Sequence, residues 1–452
     1  MKIVIVGAGR VGQQLARELS SHGHDLVVVD RSETAIILIN EKFDVTAIKG
    51  NACDINVLRT AMGDGAEMLI AVSESDEVNL AVSLLGAKLG ARTRIARIRN
   101  EGWFSEGGLS IEELGLDKVI HPEKETVDHL TQVIGINGAF DYAEFAGGEV
   151  ALIGFSVAPD LPIVGHTLKD LREQFALDSF LIIGIFRDSN FMVPGGQDSV
   201  QARDKLWLLV AKETVPFIRP IFMQKNHLAN RVVISGASRI GVSIAEKFQD
   251  KFDEIILIDS DPSAAREAAE KLPDIKVLRA SDNESDILLE IGIESINCFV
   301  AASSDDRRNL MTGLLAKRLG VERVAVVTNE TEFIPVMDAI GLDVIVNPLI
   351  LTAGAIVRHI RQGIVHSVVK IRGGEAELIE YDVPAGSTLV GKKMMDAGFP
   401  RGSIVGTALK GDSTIIPDGA TVIEEGDRLV VVATSDKIPE IEKLFVEKKI
   451  FF

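Results

Sequence analysis

The chain has 452 residues, of which 46% are hydrophobic and only 5% aromatic, and its formal net charge at pH 7 is −18. A single hydrophobic core stops growing near roughly 250 to 300 residues, so this length predicts several domains, and the composition predicts aliphatic cores. The negative charge argues against a nucleic-acid partner, because the chain has no excess of cations to neutralise a phosphate backbone.

The sequence also limits the compartment in which the chain works. No run approaches the roughly 18 consecutive apolar residues of a membrane span, and the first residues are typical of a strand rather than a signal peptide. The two cysteines, Cys53 and Cys298, lie far apart and offer neither a disulfide framework nor the spacing of metal ligands. These features predict a reduced, cytoplasmic location.

The first thirty residues have the pattern of a dinucleotide-binding βαβ unit. A short apolar run leads into a glycine-rich loop, a helical pattern follows to Ser21, and a second apolar run ends at Asp30. The residues of the loop are Gly7, Ala8, Gly9, Arg10, Val11 and Gly12. The helix after such a loop offers free amides and a partial positive charge to phosphates.

Each part of this unit has an expected task. Gly7 permits a tight turn, Gly9 lets a pyrophosphate approach the backbone, and Gly12 lets the helix pack against the strand. Asp30 is placed to accept hydrogen bonds from ribose hydroxyls, which favours NAD or ATP/ADP over NADP. Two alternatives stay open: Asp30 could begin the next helix, and Arg10 could bind a phosphate or be solvated.

After this unit, short strands and helices alternate to residue 121, which predicts a six-stranded, mainly parallel sheet with helices on both faces. Further candidate ligand residues follow the predicted strands at the carboxyl edge of that sheet, where open α/β sheets bind their ligands. These candidates are Arg31, Asn51, Ser73, Glu74, Arg97 and Ile98. Arg97 could equally pair with the acidic surface.

The chain then repeats itself. A small module with short strands and one predicted helix, Leu168 to Gln174, ends near Phe222, and the glycine pattern returns from Arg231. The same spacing separates Gly7 from Gly236, Gly12 from Gly241 and Asp30 from Asp259, which makes these three residues candidates for a second site.

The repeat predicts an α/β fold with two Rossmann-type domains, each followed by a small α+β domain. The predicted ranges are 1–121 for the first Rossmann domain, 122–144 for a crossover helix and linker, 145–225 for the first small domain, 230–347 for the second Rossmann domain, 348–370 for a second crossover helix and linker, and 371–452 for the second small domain.

The second half departs from the pattern at its candidate site. Ser238 replaces Gly9, Arg279 replaces Gly50 and Ser304 replaces Glu74, while Arg97 aligns with Val326. A side chain at the Gly9 position reduces contact with a pyrophosphate. We therefore expect the second site to be weaker, differently selective or empty.

Other polar residues favour simpler interpretations. His22 and His24 follow the first helix with no third ligand nearby in the sequence, and Glu123 and Glu125 suit a helix start better than a cation site. Cys53 has no basic neighbour in the sequence that would activate a thiolate. The small modules lack a convergent catalytic set, so the sequence favours a non-enzymatic protein, with an NAD-dependent oxidoreductase as the alternative.

The residues also carry a resemblance. The segments Met1 to Asp30, Ile70 to Asn79 and Ile95 to Arg99, and the order large, small, large, small, resemble the TrkA family, the regulatory subunits of Trk-type potassium uptake systems. Each half is similar to a regulator-of-potassium-conductance (RCK, or KTN) domain followed by a TrkA-C domain.

This resemblance implies a gating protein that binds NAD, NADH or an adenine nucleotide, with Ser73, Glu74 and the Ile98 region beside the nucleotide. It also implies a ring of eight Rossmann units, which four copies of a tandem chain would supply. The ring would lie at the inner face of the cell membrane beneath an integral potassium transporter or channel subunit. A nucleotide that prefers one ring geometry would then shift the pore between open and closed. A sensor of the same type serving another transporter is a third possibility.

Overall fold

A computed structural model describes residues 1–20, 24–104, 108–136, 138–175, 180–188, 190–222, 230–281, 285–360, 365–371, 375–411 and 413–446. The chain forms two compact units. The first contains residues 1–128, 327–332 and 346–360, and the second contains the remaining parts of the chain.

The first unit is built on a parallel sheet. Its elements are β1 (Lys2–Val6), α1 (Arg10–Ser20), β2 (Asp25–Asp30), α2 (Glu33–Lys42), β3 (Thr46–Lys49), α3 (Ile55–Met62), β4 (Met68–Ala71), α4 (Asp76–Lys88), β5 (Thr93–Arg97) and β6 (Lys118–Ile120). The strand order is β3-β2-β1-β4-β5-β6, and all five neighbouring pairs are parallel. This confirms the predicted Rossmann-type sheet.

Local signals in the sequence start the helices that follow the strands. Ser75 caps α4 by accepting a hydrogen bond from the Val78 amide, and the acidic Asp76 and Glu77 favour the positive end of the helix dipole. Ser32 caps α2 in the same way. The reversal of strand order between β1 and β4 leaves the crevice at the carboxyl ends of the strands.

A small antiparallel sheet follows the first Rossmann domain. Its segment comprises α5 (Pro122–Gly135), β7 (Ala139–Phe145), β8 (Val150–Ser156), α6 (Leu168–Phe175), β9 (Phe180–Arg187), β10 (Asn190–Met192), β11 (Lys205–Ala211) and α7 (Val215–Phe222), with strand order β10-β9-β11-β8-β7. The sheet begins at Ala139, inside the range predicted as linker. The prediction of one helix is wrong, because α7 is a second one. Its Pro216 lies in the first turn, where a missing N–H costs nothing.

The second half repeats this order. Its elements are β12 (Arg231–Ser235), α8 (Arg239–Phe248), β13 (Glu254–Asp259), α9 (Pro262–Lys271), β14 (Lys276–Arg279), α10 (Ser285–Glu290), β15 (Cys298–Ala301), α11 (Asp306–Arg318), β16 (Arg323–Val327), α12 (Ile334–Ala339), β17 (Val344–Val346), α13 (Pro348–Ile360), β18 (Val365–Ile371), β19 (Ala376–Asp382), β20 (Ser403–Lys410), β21 (Ser413–Ile415), β22 (Arg428–Thr434) and α14 (Ile438–Phe445). The strand orders are β14-β13-β12-β15-β16-β17 and β18-β19-β22-β20-β21.

The strand register corrects two predicted equivalences. Ala71 pairs with Ala96 in the first sheet, and Ala301 pairs with Val326 in the second. Val326 is therefore the counterpart of Ala96, and Arg97 corresponds to Val327. Asp30 pairs with Lys49 and Asp259 pairs with Arg279, so Arg279 is the counterpart of Lys49, and Ala280 is that of Gly50. Both alignments, Gly50 with Arg279 and Arg97 with Val326, were wrong by one residue, because the spacing between the halves lengthens by one residue between β13 and β14.

Helix α13 comes from the second half of the sequence but completes the core of the first unit. Its Ala353, Ile356 and Ile360 are fully buried in one apolar cluster with Leu15 and Leu19 of α1. The burial of these aliphatic side chains makes α13 part of the first compact unit.

The two small sheets share a core within the second unit. Phe145, Trp207 and Leu209 of the first small sheet pack with Leu378 and Val432 of the second. The two small modules therefore form one intramolecular pair. In the described part of the chain, no helix combines the length and the apolar character needed to cross a membrane.

Candidate functional site

The glycine loop of the first Rossmann domain has space for nothing larger than glycine at two positions. Gly7 has a φ of +111°, and a Cβ there would lie 2.9 Å from the Ser73 amide nitrogen. A Cβ on Gly12 would lie 1.8 Å from the Gly7 carbonyl oxygen. These contacts place the start of α1 directly against the end of β1, as the sequence pattern predicts.

Gly9 differs from both, because a Cβ built there meets no atom within 4 Å. The backbone at Gly9 therefore faces open space at the start of α1. Glycine has no side chain with which to cap the first amides of this helix, which leaves them available to an anion. The side chains of Ala8 and Val11 are buried, so these two residues can offer a ligand only their main chains.

Asp30 lies at the carboxyl end of β2 and supports the glycine loop. One carboxylate oxygen accepts from the Ala8 amide at 2.7 Å, and the other accepts from the Ser32 amide at 2.7 Å. A carboxylate has about four acceptor positions, and these two bonds to described residues occupy two of them at this partly exposed side chain. The sequence predicts a ribose acceptor at Asp30, and that role stays a prediction, but the sequence did not indicate the support that Asp30 gives the loop. Arg31, the next residue, is exposed at the same edge.

Asn79 organises the loop after β4, although it was not among the predicted site residues. Its Oδ1 accepts from the amide and the hydroxyl of Ser73, at 2.9 and 2.7 Å. Its Nδ2 donates to the carbonyls of Ser73 and Arg97, at 3.1 and 2.8 Å. Asn309 makes the same bonds to Ser303 in the second half, and this recurrence was the available signal. Glu74 is exposed beside Ser73.

Arg97 is buried, with 7% of its surface exposed. Its Nη1 donates to the Ser73 carbonyl at 3.3 Å, and within the described residues its Nε has no hydrogen-bond partner. Burial and the nearby Arg99 lower the pKa of the Arg97 guanidinium, while Glu123, Asp76 and Glu74 oppose that shift. The alternative of a surface ion pair therefore does not describe Arg97, which lies inside the loop structure.

The remaining edge residues contribute mainly through their main chains. Ile98 is fully buried, and its amide donates to the Ile120 carbonyl at 3.0 Å. Asn51 is exposed after β3, and its Oδ1 accepts from the Cys53 amide at 3.2 Å. The preceding Gly50 amide donates to the Asp30 carbonyl at 2.8 Å, which joins the ends of β2 and β3.

Arg10 has a partner that the sequence did not suggest. Its Nη1 donates to Glu330 Oε1 at 3.0 Å, and the two side chains are 62% and 49% exposed. Glu330 follows β16 in the second half of the sequence but belongs to the first compact unit. A long-range pair of this kind leaves no local signal. It means that an anion at the loop would compete with Glu330 for Arg10.

The second Rossmann domain repeats the frame of the site. A Cβ on Gly236 would lie 2.4 Å from the Ser303 amide nitrogen, and one on Gly241 would lie 2.0 Å from the Gly236 carbonyl oxygen. Asp259 accepts from the Ala237 and Asp261 amides, at 2.6 and 2.9 Å. The glycine and aspartate positions of the two halves therefore have the same structural tasks.

The described residues contain no group of three or more His, Cys, Asp or Glu side chains arranged to hold a metal ion. His22 lies outside the described residues. Glu125 forms an ion pair with Arg358 at 3.5 Å, which gives this helix-start acid a structural partner.

The fold and the two loops define a class: a tandem protein with two Rossmann-type nucleotide-binding folds, each followed by a small antiparallel module. The TrkA-N domain family matches residues 3–122 and 232–348, and the TrkA-C domain family matches residues 152–222 and 378–446. The chain belongs to the TrkA family.

Named relatives match along their whole length. The chain is 33% identical over 458 aligned residues to the Trk system potassium uptake protein TrkA of Haemophilus influenzae, covering 100% of both sequences. It is 30% identical to the Trk system potassium uptake protein TrkA homolog 2 of Methanosarcina mazei, covering 98% of this chain and 100% of the relative.

Solved structures share the fold. The GsuK RCK domain superposes with a TM-score of 0.62 at 19% identity, covering 98% of this chain and 94% of that one. The GsuK channel bound to NAD gives the same TM-score and identity, covering 98% of this chain and 78% of the other. The RCK architecture is therefore the fold of this chain.

Proposed function

We propose that this chain is the regulatory subunit of a Trk-type potassium uptake system and that its first Rossmann domain binds NAD, NADH or an adenine nucleotide. The single observation that carries the proposal is the uncapped start of α1 at Gly9, which faces open space beside Asp30. The family relatives named as potassium uptake proteins supply the physiological process. The structure of the GsuK channel bound to NAD shares this fold over 78% of its chain.

The roles follow from the geometry. The amides of Gly9 to Gly12 and the Arg10 side chain would hold the phosphates, while Asp30 would accept from ribose hydroxyls. Asn51, Ser73, Glu74 and the main chain at Ile98 would border the ligand at the carboxyl edge of the sheet. The predicted four-domain division, with two Rossmann domains and two small ones, is part of this proposal.

Regulation would act as a population shift. A nucleotide stabilises whichever arrangement of the Rossmann domains binds it more tightly, and the membrane partner follows that arrangement. We propose a tetramer with a ring of eight Rossmann units, held at the cytoplasmic face of the membrane by an integral potassium transporter or channel subunit. The chain would act without catalysing a reaction.

Calorimetric titration of the purified full-length chain with NADH, NAD, ATP, ADP and NADP tests the binding step. We expect saturable binding of ligands with an unphosphorylated ribose and recovery of each ligand unchanged. Failure of all five to bind would overturn the nucleotide-sensing function. Oxidation of NADH that depends on an added carbonyl substrate would instead establish the oxidoreductase alternative.

Asp30→Asn is expected to reduce the preference for NADH over NADPH by about tenfold or more. The carboxylate repels a ribose 2′-phosphate, and the neutral amide removes that repulsion. The two dissociation constants, measured by calorimetry, give the ratio. Asp259→Asn alters the matching position of the second domain and should leave the ratio unchanged; an equal effect of both substitutions would refute the role assigned to Asp30.

Glu330→Gln is expected to tighten nucleotide binding by a few-fold, because Arg10 no longer has a carboxylate partner that competes with phosphate. The unfolding free energy should change by less than about 1 kcal/mol, since both side chains of the pair are largely solvated. Glu246→Gln removes a similar exposed pair with Lys271 in the second domain and is the control. Weaker binding in Glu330→Gln alone would show that Glu330 helps the ligand instead.

A further inference from the structure

The two Rossmann domains differ at the position where a pyrophosphate would approach. We propose that Ser238 closes the phosphate loop of the second Rossmann domain from within, so that each chain binds one dinucleotide, in the first domain. This inference rests on the proposed nucleotide-binding function and names the residue that restricts it to one site.

Ser238 takes the place of Gly9 and caps α8 with its own side chain. The Ser238 Oγ accepts a hydrogen bond from the Gly241 amide at 3.1 Å and donates one to the Ala302 carbonyl at 2.5 Å. The hydroxyl is therefore engaged as both donor and acceptor. In the first domain the same position has no side chain and opens onto empty space.

This capping occupies a helix-start amide of the kind that the first loop leaves free for a phosphate. The Gly241 amide belongs to the first turn of α8, and such amides are the donors that a phosphate uses at a helix start. A pyrophosphate at the second loop would have to displace the Ser238 hydroxyl from Gly241 and from Ala302. It would also meet the serine Cβ and Oγ at the point of closest approach.

The edge of the second domain where a ribose would bind is also less accessible than the matching edge of the first domain. Asp259 is buried, with 8% of its surface exposed, whereas Asp30 is partly exposed. Arg308 Nη1 donates to the Ser260 hydroxyl at 3.0 Å, directly after Asp259 at the end of β13. Val78 is the counterpart of Arg308 in the first domain and has no such group. The ribose edge of the second domain is thus less exposed than that of the first, although Asp259 keeps the same place at the end of its strand.

The frame of the second loop is nevertheless intact, since Gly236, Gly241 and Asp259 hold it as their counterparts hold the first. One side chain therefore separates an open loop from a closed one. Exchanging the residue at this position between the two domains should exchange their behaviour, because the surrounding backbone is already built for the turn.

The test is calorimetric titration of the full-length chain with NADH. We expect about one NADH per chain in the wild type and about two in Ser238→Gly. The NADH affinity of the second domain should be at least tenfold higher in Ser238→Gly than in the wild type. Ser238→Thr keeps the capping hydroxyl and should keep one site. Gly9→Ser, the reverse exchange, should weaken the first site by tenfold or more.

Circular dichroism of each variant establishes that it is folded. Ser238→Ala lacks the hydroxyl but keeps the Cβ, and it tests the role of the hydroxyl if Ser238→Gly is unstable. Two sites of similar affinity in the wild type, or an unchanged single site in both folded Ser238→Gly and Ser238→Ala, would overturn the inference while leaving the proposed function in place. Absence of NADH binding to every form, including the wild type, would instead remove the proposed function and this inference with it.

Discussion

Replacing Gly12 by valine is expected to abolish nucleotide binding to the first Rossmann domain. A Cβ at this position would lie 1.8 Å from the Gly7 carbonyl oxygen, a backbone atom that cannot rotate away. Helix α1 must therefore move off β1, which displaces the amides that would hold the phosphates. Overpacking of this kind costs about 1–3 kcal/mol or more of stability. Calorimetry with NADH and a thermal melt measure the two effects.

Gly241→Val is the matched control for this substitution. Its Cβ would lie 2.0 Å from the Gly236 carbonyl oxygen, so the second domain should lose stability to a similar extent. NADH affinity at the first site should nevertheless stay within about threefold of the wild-type value, because the altered loop lies in the other domain. A folded Gly12→Val protein that binds NADH normally would contradict the assignment of the site.

Arg323→Leu is expected to cost about 1–3 kcal/mol in the stability of the second compact unit. The buried guanidinium donates to the carbonyls of Val133, Ile134 and Ile136, at 2.8, 3.0 and 3.0 Å, and also to the Ala139 carbonyl. The guanidinium thus provides hydrogen-bond donors for backbone carbonyls at the end of α5 and at the start of β7. Leucine would remove these donors. The Val133 and Ile136 carbonyls would keep the amides of Ile136 and Ala139, each at 3.1 Å, whereas the buried Ile134 carbonyl would lose the guanidinium, and an unpaired buried group costs roughly 1–3 kcal/mol.

Thermal unfolding and amide exchange measure this effect. We expect a lower midpoint and faster exchange in the last turn of α5. Arg94→Leu is the control, since Arg94 pairs with Asp117 near the surface and should contribute about 1 kcal/mol or less. Equal stability losses for the two substitutions would show that Arg323 is not a structural centre of the second unit.

The Rossmann sheets were predictable because their signals are local. Buried parallel strands are short aliphatic runs, the glycine loops have fixed spacing, and the repeat shows the same pattern twice. The equivalence of Asp30 and Asp259 follows from that spacing alone, and their hydrogen bonds to Ala8 and Ala237 confirm that the two residues are structurally equivalent.

The features that escaped prediction depend on residues far apart in the sequence. Glu330 meets Arg10 only after the chain has folded, and Arg323 reaches the end of α5 from another domain of the sequence. Helix α7 was also missed, although its Pro216 lies in the first turn, where proline is compatible with a helix. Asn79 recurs as Asn309 in the second half of the sequence, but its four hydrogen bonds to Ser73 and Arg97 became evident only from the structure.

The central claim is that nucleotide binding to the first domain controls potassium transport. Its most direct test is rubidium uptake by proteoliposomes that contain the cognate membrane subunit, measured with and without this chain and NADH. We predict that the chain changes the flux, that NADH alters this effect in the wild type, and that NADH has no influence with Gly12→Val. A flux that does not respond to the wild-type chain, or a response to NADH that persists in a folded Gly12→Val protein, would contradict the account.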